Sequence, residues 1–350
     1  MSGKKPCLGR YAHDLVSIRP KRLGRGGRLF GGRWRPRLGF GNRRIASEST
    51  SAACKNKKRE MNVEGLVATG LIGISLGAQY ALLALGFTLI FGILGVVNFA
   101  HGGFYVLGGY IAYASMTHLG APYPVAVVIA ALGTAGLGYV FERFVLERLV
   151  DDHLATLMLT LGLYLMMSSG ILVVFGPESP SFEFPIAGVL RGGGFYLPIQ
   201  NLIVLAVCIV AIVTLYWLVY HTDFGRALRA LADDRAVAAA QGLRPKLLFP
   251  LAFALATGLA GLTGALVTPI LSLAPHIGDP VLATSFLIVI LGGLGSVGGA
   301  TVAAFIVGLI EAYSAVYLGG SKGALALFTL VLLMLVIRPS GLFGREARGA

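Results

Sequence analysis

Asn98 and His101 lie three residues apart inside GILGVVNFAHGGFYVLGG, residues 92–109, an otherwise apolar stretch that also holds six glycines. Left unpartnered, either side chain costs on the order of 1 kcal/mol or more to bury. Each is therefore expected to face the protein interior, bonding across helices or meeting a polar solute. A second stretch, VILGGLGSVGGATVAAFIVG at 289–308, has the same character: an apolar run, a glycine-dense interruption with one small polar residue, then another apolar run. Paired glycine-interrupted hydrophobic segments in the two halves of a chain point to a membrane substrate pathway, because unwound backbone at membrane depth is tolerated only where protein or a water-filled cavity covers it. The candidate pathway residues are Asn98, His101, Gly102 and Gly103 in the first stretch, and Gly292, Gly293, Gly295 and Ser296 in the second. Glycines in membrane helices also serve close packing. That is the reading for Gly73/Gly77 and for Gly258, Gly261 and Gly264, and it stays open for Gly102–Gly103 and Gly292–Gly299. Glu311, an acid near the end of an apolar run, is either a functional ionisable group within a span or an interfacial anchor beside Tyr313.

Several chemistries are missing from the sequence. It contains no G-x-x-x-x-G-K-[ST], no H-E-x-x-H and no His/Cys/carboxylate cluster at metal spacing. No catalytic residue, metal or bound cofactor is expected, and the polar groups read as lining a passage.

The elements that must position these residues follow from composition. Of 350 residues, 56% are hydrophobic and 13% charged, with a mean hydropathy of +0.78. Apolar runs fall at 65–91, 102–117, 123–141, 154–175, 199–219, 248–272, 283–311 and 323–337. A helix of about 20 residues crosses a hydrocarbon core, so the expectation is an all-α, polytopic membrane protein with about eight spans. The count rises to about ten if the long, glycine-broken runs 65–91 and 283–311 are each taken as two pieces. The connections 142–153 and 221–246 and the C-terminus are rich in Arg and Lys, whereas 176–198 and 273–282 are not. This asymmetry places the first group in the cytoplasm and the second outside; the side of Met61 stays open.

Residues 1–60 carry 17 Lys/Arg against three Asp/Glu, while residues 61–350 carry 12 against 13, so the net charge of +13 belongs to the extension. Its Arg/Gly-rich run KRLGRGGRLFGGRWRPRLGFGNRR has no helical or strand period. It reads as a disordered basic arm, as a targeting segment, or as sequence upstream of a true start at Met61. A permease domain is expected over 61–345. Cys7 and Cys54 lie in the extension and Cys208 in a span, which makes no disulfide framework.

FGRALRALADDRAVAAAQGL, within the 221–246 connection, places Leu228, Leu231, Val237 and Ala240 at near-helical spacing, with Gly242 as a stop. It reads as an amphipathic helix or helix pair under the membrane, either a solvated loop helix or a docking element. The docking reading rests on the small residues Ala236, Ala238, Ala239 and Ala240.

Three stretches together, ALGFTLIFGILGVVNFAHGGFYVLGGY (84–110), LIVILGGLGSVGGATVAAFIVGLIEA (287–312) and LMLVIRPSGLFGR (333–345), closely resemble the membrane subunits of bacterial branched-chain amino-acid ABC importers, the LivH type in particular. The resemblance runs from about residue 65 to the C-terminus. It implies a multi-pass inner-membrane permease that pairs with a second, similar permease and with two cytoplasmic ATP-binding subunits, which carry ATP and Mg. Substrate would arrive on a periplasmic binding protein. By the same likeness Asp233, Asp234, Arg235 and Gly242 lie at or near the ATPase contact. One departure is the connection ERFVLERLVDDH (142–153), less basic than the family's and ending in two acids. Within the family, importers of urea or short amides look very alike. The polarity near the breaks, limited to Thr88, Asn98, His101, Ser285, Ser296 and Thr301, leans towards amino acids. A secondary transporter would need a coupling carboxylate pair where only Glu311 stands, and a nucleic-acid partner would rest on the extension alone; none is expected.

Overall fold

In a computed structural model, residues 43–149, 152–178, 180, 184, 188–192, 195–338 and 340–343 are described. The chain divides into Met1–Lys55 and Asn56–Ala350. Residues 1–42, the greater part of the basic extension, lie outside the described residues, and residues 43–55 are helical. The described helices are α1 (Arg43–Leu94), α2 (His101–Leu119), α3 (Tyr123–Phe144), α4 (His153–Phe175), α5 (Ile199–His221), α6 (Asp223–Asp233), α7 (Arg235–Ala240), α8 (Pro245–Leu271), α9 (Gly278–Gly292), α10 (Val297–Tyr317) and α11 (Gly320–Ile337). A two-stranded antiparallel hairpin, β1 (Val189–Gly192) with β2 (Phe195–Pro198), is the one exception to all-α structure among the described residues.

Each apolar run of the sequence is a helix, and 283–311 is two, α9 and α10, as its glycines indicated. The run 65–91, expected to be broken, is not: α1 passes through it continuously and the chain unwinds only after Leu94. Its glycines are contact points instead, Gly73 against Leu309 and Gly77 against Phe305 and Gly308. Six helices are long and apolar enough to cross a membrane, and the described residues thus form a multi-pass helical membrane protein.

Local chemistry sets the helix ends. Asp152, in the acidic departure noted above, accepts the N–H groups of Leu154 and Ala155 at 3.0 Å each and so caps α4. Thr222 caps α6 through the Gly225 N–H at 3.1 Å. Pro in the first turn opens α3 and α8, where its missing N–H leaves nothing unsatisfied.

Burial separates centre from periphery. The spans in α1 and α8 are 78% and 72% buried, against 22% in α4, whose outer face is apolar and exposed, as a lipid-facing surface requires. At the centre, α2 crosses α8 so closely that a methyl on Gly264 would stand 1.9 Å from the Tyr105 carbonyl oxygen, and one on Gly108 2.4 Å from the Gly261 Cα. Lipid supplies no hydrophobic drive for helix association, so close backbone approach of this kind holds membrane helices together.

The basic connections share one face. The Arg143 guanidinium at the end of α3 donates to the Lys246 carbonyl at the start of α8, 3.1 Å away. α1 crosses once and ends on this face, so Gly65 stands on the opposite one, where Tyr313 of α10 donates to the Leu66 carbonyl at 2.9 Å.

Candidate functional site

The first interruption is Gly95–Ala100, in which Gly95 has φ +69°. Asn98 turns the chain back towards α2: its Oδ1 accepts the Ala100 N–H at 3.0 Å. His101, the first residue of α2, reaches α1, where its Nε2 lies 3.1 Å from the Leu83 carbonyl as donor. Its ring stands edge-on to Phe87, with centroids 5.8 Å apart, and fits because residue 86 is glycine; a methyl there would lie 3.0 Å from the imidazole Cε1. Both side chains are 1% exposed. They bind the break together as the interior-facing expectation required, and Asn98 Nδ2 and His101 Nδ1 have no hydrogen-bond partner among the described residues. Gly102 and Gly103 are not in the break. They sit inside α2, Gly102 so close to the Gly278 carbonyl that a methyl would stand 2.8 Å from it, and Gly103 against the Met167 and Tyr164 side chains, which would have to give way to a methyl.

Leu83 lies eleven residues before the end of α1, about 16 Å along its axis. α2 therefore starts deep inside the protein, and the chain between α1 and α2 doubles back from the basic face.

The second interruption lies between α9 and α10. Gly293 and Gly295 have φ +99° and +80°, which only glycine adopts without strain. Ser296 caps α10 by accepting the Gly299 N–H at 3.1 Å. Gly292 packs on Gly299 with no space for a methyl on either. The C-terminal residues close this end: Leu342 and Phe343 donate their N–H groups to the Leu291 and Gly292 carbonyls at 2.9 and 3.1 Å, satisfying acceptors that the end of α9 would otherwise leave open. The two interruptions approach each other, since a methyl on Gly92 would lie 3.6 Å from the Gly295 Cα.

α6 and α7 lie across this junction. Leu228, Leu231 and Ala238 are buried, but Val237 and Ala240, expected on the same face, are exposed, because the chain breaks at Asp234 and α7 takes a new direction. Asp234 caps α7 through the N–H groups of Ala236 and Val237 at 2.8 and 3.0 Å. Gly242 follows α7 with φ +93°. Arg235 turns inward: it donates to the Leu94 carbonyl at 2.5 Å and stacks over the Phe249 ring at 4.8 Å. Asp233 and Asp234 are exposed, as are Ala236, Ala239 and Ala240. Beside them open a cleft of about 670 Å³, lined by Arg226, Arg229, Asp233, Ser296 and Phe343 among others, and one of about 570 Å³ that includes Asp233, Asp234 and Gly95.

Two polar groupings escaped the sequence reading. α4 buries Thr156, Thr160, Tyr164 and Ser168, a hydroxyl every fourth residue on one face, and almost nothing else. Thr160 accepts the Phe99 N–H of the first interruption at 3.3 Å, and Tyr164 hydrogen-bonds Asp279 of α9. The four-residue spacing was the available signal. Glu142 of α3 is fully buried, and neither carboxylate oxygen has a hydrogen-bond partner among the described residues. Glu311 is no bare surface anchor, since it accepts a hydrogen bond from Tyr80 at 2.8 Å.

Broken helices meeting inside a multi-pass bundle, with a structured pair of surface helices laid across their ends, define a membrane permease. The chain belongs to the family described as branched-chain amino acid transport system / permease component, whose match covers residues 71–338. Among its relatives, the high-affinity branched-chain amino acid transport system permease protein LivH of Escherichia coli (strain K12) is 28% identical over 292 residues, 78% of this chain and 94% of LivH. The Pseudomonas aeruginosa permease protein BraD of such a system is 27% identical over 288 residues, at the same coverage of each chain. LivM of Escherichia coli K12, a permease protein of that organism's system, is 27% identical over 311 residues, 79% of this chain and 71% of LivM. No solved structure matches the chain.

Proposed function

We propose that this chain forms the transport pathway of an ATP-driven importer, moving branched-chain or other hydrophobic amino acids across the bacterial inner membrane. It works beside a second permease and two cytoplasmic ATP-binding subunits, which carry ATP and Mg and do the hydrolysis, and it receives substrate from a periplasmic binding protein. The observation that carries this reading is the Arg235–Leu94 bond, which ties the exposed α6–α7 element to the end of the helix that opens the first interruption. The face bearing α6 and α7 is the basic one, hence cytoplasmic.

Asp233, Asp234, Gly242 and the exposed alanines of α7 supply the surface on which an ATPase subunit seats, the small side chains letting it approach closely. Arg235 converts that contact into motion. Closure of the ATPase pair displaces α7, Arg235 carries the displacement to the end of α1, and the Gly95–Ala100 segment passes it to Asn98, His101 and α2. Gly293 and Gly295 allow α9 and α10 to pivot in step. The C-terminal residues keep the end of α9 satisfied while they do so. The two permeases then expose the path alternately to each side.

The hydroxyl stripe on α4 favours a second reading, an importer of urea or a short amide, for which a path rich in hydrogen-bonding groups is suited. Uptake of labelled leucine and labelled urea by cells without their own importers, co-expressing this chain with its partner subunits, decides between them. ATP-dependent leucine uptake is the expected result. Urea uptake alone would replace the substrate, and uptake that survives ATP depletion would overturn the coupling.

A further inference from the structure

The connection between α8 and α9 does something its composition does not announce. α8 spans 27 residues, about 40 Å, from the basic face to the far side. The next six residues, 272–277, then bring the chain back inward, so that α9, with 15 residues and about 22 Å of length, starts inside the bundle and returns to the basic face. Gly278 of α9 is packed on Gly102 of α2, which itself starts at the level of Leu83. Two independent measures, one along α9 and one along α1, thus put the start of α9 about 16–22 Å from the basic face, well within a hydrocarbon core of about 30 Å.

At that depth stand four polar side chains, Tyr164 and Ser168 of α4, Asp279 of α9 and His276 of the connection before it. Tyr164 donates to Asp279 Oδ1. Ser168, one turn further along α4, donates to the Pro275 carbonyl at 3.2 Å and lies 3.4 Å from His276 Nδ1. Asp279 Oδ2 has His276 Nδ1 at 4.0 Å. Tyr164 and Ser168 are buried, but the Asp279 and His276 side chains are 57% and 72% exposed. A carboxylate open to lipid at this depth is costly, and such groups instead face a bundle interior or a water-filled cavity. The open side of Asp279 must then be the path or the second permease across it.

We propose that Asp279, held by Tyr164 and flanked by Ser168 and His276, is the subsite within the membrane that takes the ammonium group of the transported amino acid. The substrate class rests on the transport reading above. With Oδ1 engaged by Tyr164, Oδ2 accepts one ammonium N–H and forms the charge pair. Ser168 Oγ, whose proton is committed to Pro275, offers a lone pair to another. An ammonium has three donors and no acceptor, so this arrangement of carboxylate and hydroxyl selects it over a carboxylate or an uncharged amide. The side chain of the substrate is left to the apolar residues of α9.

An acid in the first turn also stabilises a helix by itself, and the test separates the two roles. Membrane vesicles holding the complete transporter, with binding protein loaded with labelled leucine and ATP supplied, are compared for wild type, Asp279→Asn and Asp279→Glu, alongside ATP hydrolysis and thermal stability of the purified complex. Losing a charge-assisted hydrogen bond slows leucine uptake about tenfold or more. ATP hydrolysis and stability of Asp279→Asn stay close to wild type, and Asp279→Glu recovers part of the uptake. Absence of ATP-dependent leucine uptake by the wild type would overturn the transport reading, and the subsite with it. Wild-type uptake that Asp279→Asn leaves unchanged would remove the subsite alone. Uptake, hydrolysis and stability falling together would reduce Asp279 to a helix-terminus role.

Discussion

Arg235 of α7 holds the last carbonyl of α1, that of Leu94, at 2.5 Å, while its guanidinium lies over the Phe249 ring of α8. A cation at a helix C-terminus meets both the unsatisfied carbonyls and the negative end of the helix dipole. The planar guanidinium also stacks, which a lysine ammonium does only as a point charge. Arg235→Lys is therefore expected to lower ATP-dependent uptake and Arg235→Ala to lower it further, with chain insertion and ATP hydrolysis by the complex retained. Uptake by Arg235→Ala equal to that of the wild type would show that the α7–α1 bond transmits nothing.

The close crossing of α2 and α8 gives a stability test with opposite signs. A methyl at Gly264 meets the Tyr105 carbonyl at 1.9 Å, whereas one at Gly136 of α3 meets nothing within 4 Å. Gly264→Ala should destabilise the purified protein by about 1–3 kcal/mol or more. Gly136→Ala should be neutral or gain up to about 1 kcal/mol from helix propensity. Thermal unfolding of both variants in the same detergent checks the pair, and equal effects would mean that the crossing is looser than described.

His101 and Cys208 are both buried, but only His101 bonds across helices. His101→Leu removes the bond to Leu83 and leaves that carbonyl without its cross-helix donor, so uptake should fall severalfold. Cys208→Ala, which loses a small buried thiol, should change uptake little. Parallel transport assays with immunoblots for chain abundance separate transport from expression; matched losses would leave packing as the role of His101.

Glu142 is a fully buried carboxylate whose oxygens have no hydrogen-bond partner among the described residues. A charge held that way works against the fold unless a partner subunit compensates it. In the isolated chain Glu142→Gln is expected to raise the unfolding temperature, corresponding to about 1 kcal/mol or more. A lower unfolding temperature would mean that the carboxylate is satisfied within this chain.

Much of this protein was legible along the chain. Apolar runs of spanning length must become helices, because lipid cannot satisfy a peptide group, and each run identified in the sequence is one or two helices. Lysine and arginine placement put the connections 142–153 and 221–246 on one face, and Arg143 with Lys246 bears this out by direct contact, whereas the connection before α9, read as lying outside, folds back into the bundle. Glycine density located an interruption in each half, because it reports where backbone is released from its side chains. It did not distinguish release from contact. Gly73, Gly77, Gly86 and Gly102 are places where another backbone presses in, and Gly103 is one where the Met167 and Tyr164 side chains do, a property of the neighbour and not of the chain around the glycine.

What only the tertiary structure decided is which distant groups meet. The inward turn of Arg235 depends on where α1 happens to end, so an arginine that reads as exposed beside two aspartates is half-buried against Leu94. The depth of Asp279 depends on six residues folding back after α8, and in the sequence it is an ordinary acid in a short polar connection. The hydroxyls of α4 alternate with apolar residues whose hydropathy hides them, and they form a stripe only once the helix turns one face to the protein and the other to lipid. Local composition dictates which segments leave water, because that cost is summed residue by residue. The pairing of polar groups inside is a matter of distance between helices, and no single segment carries that information.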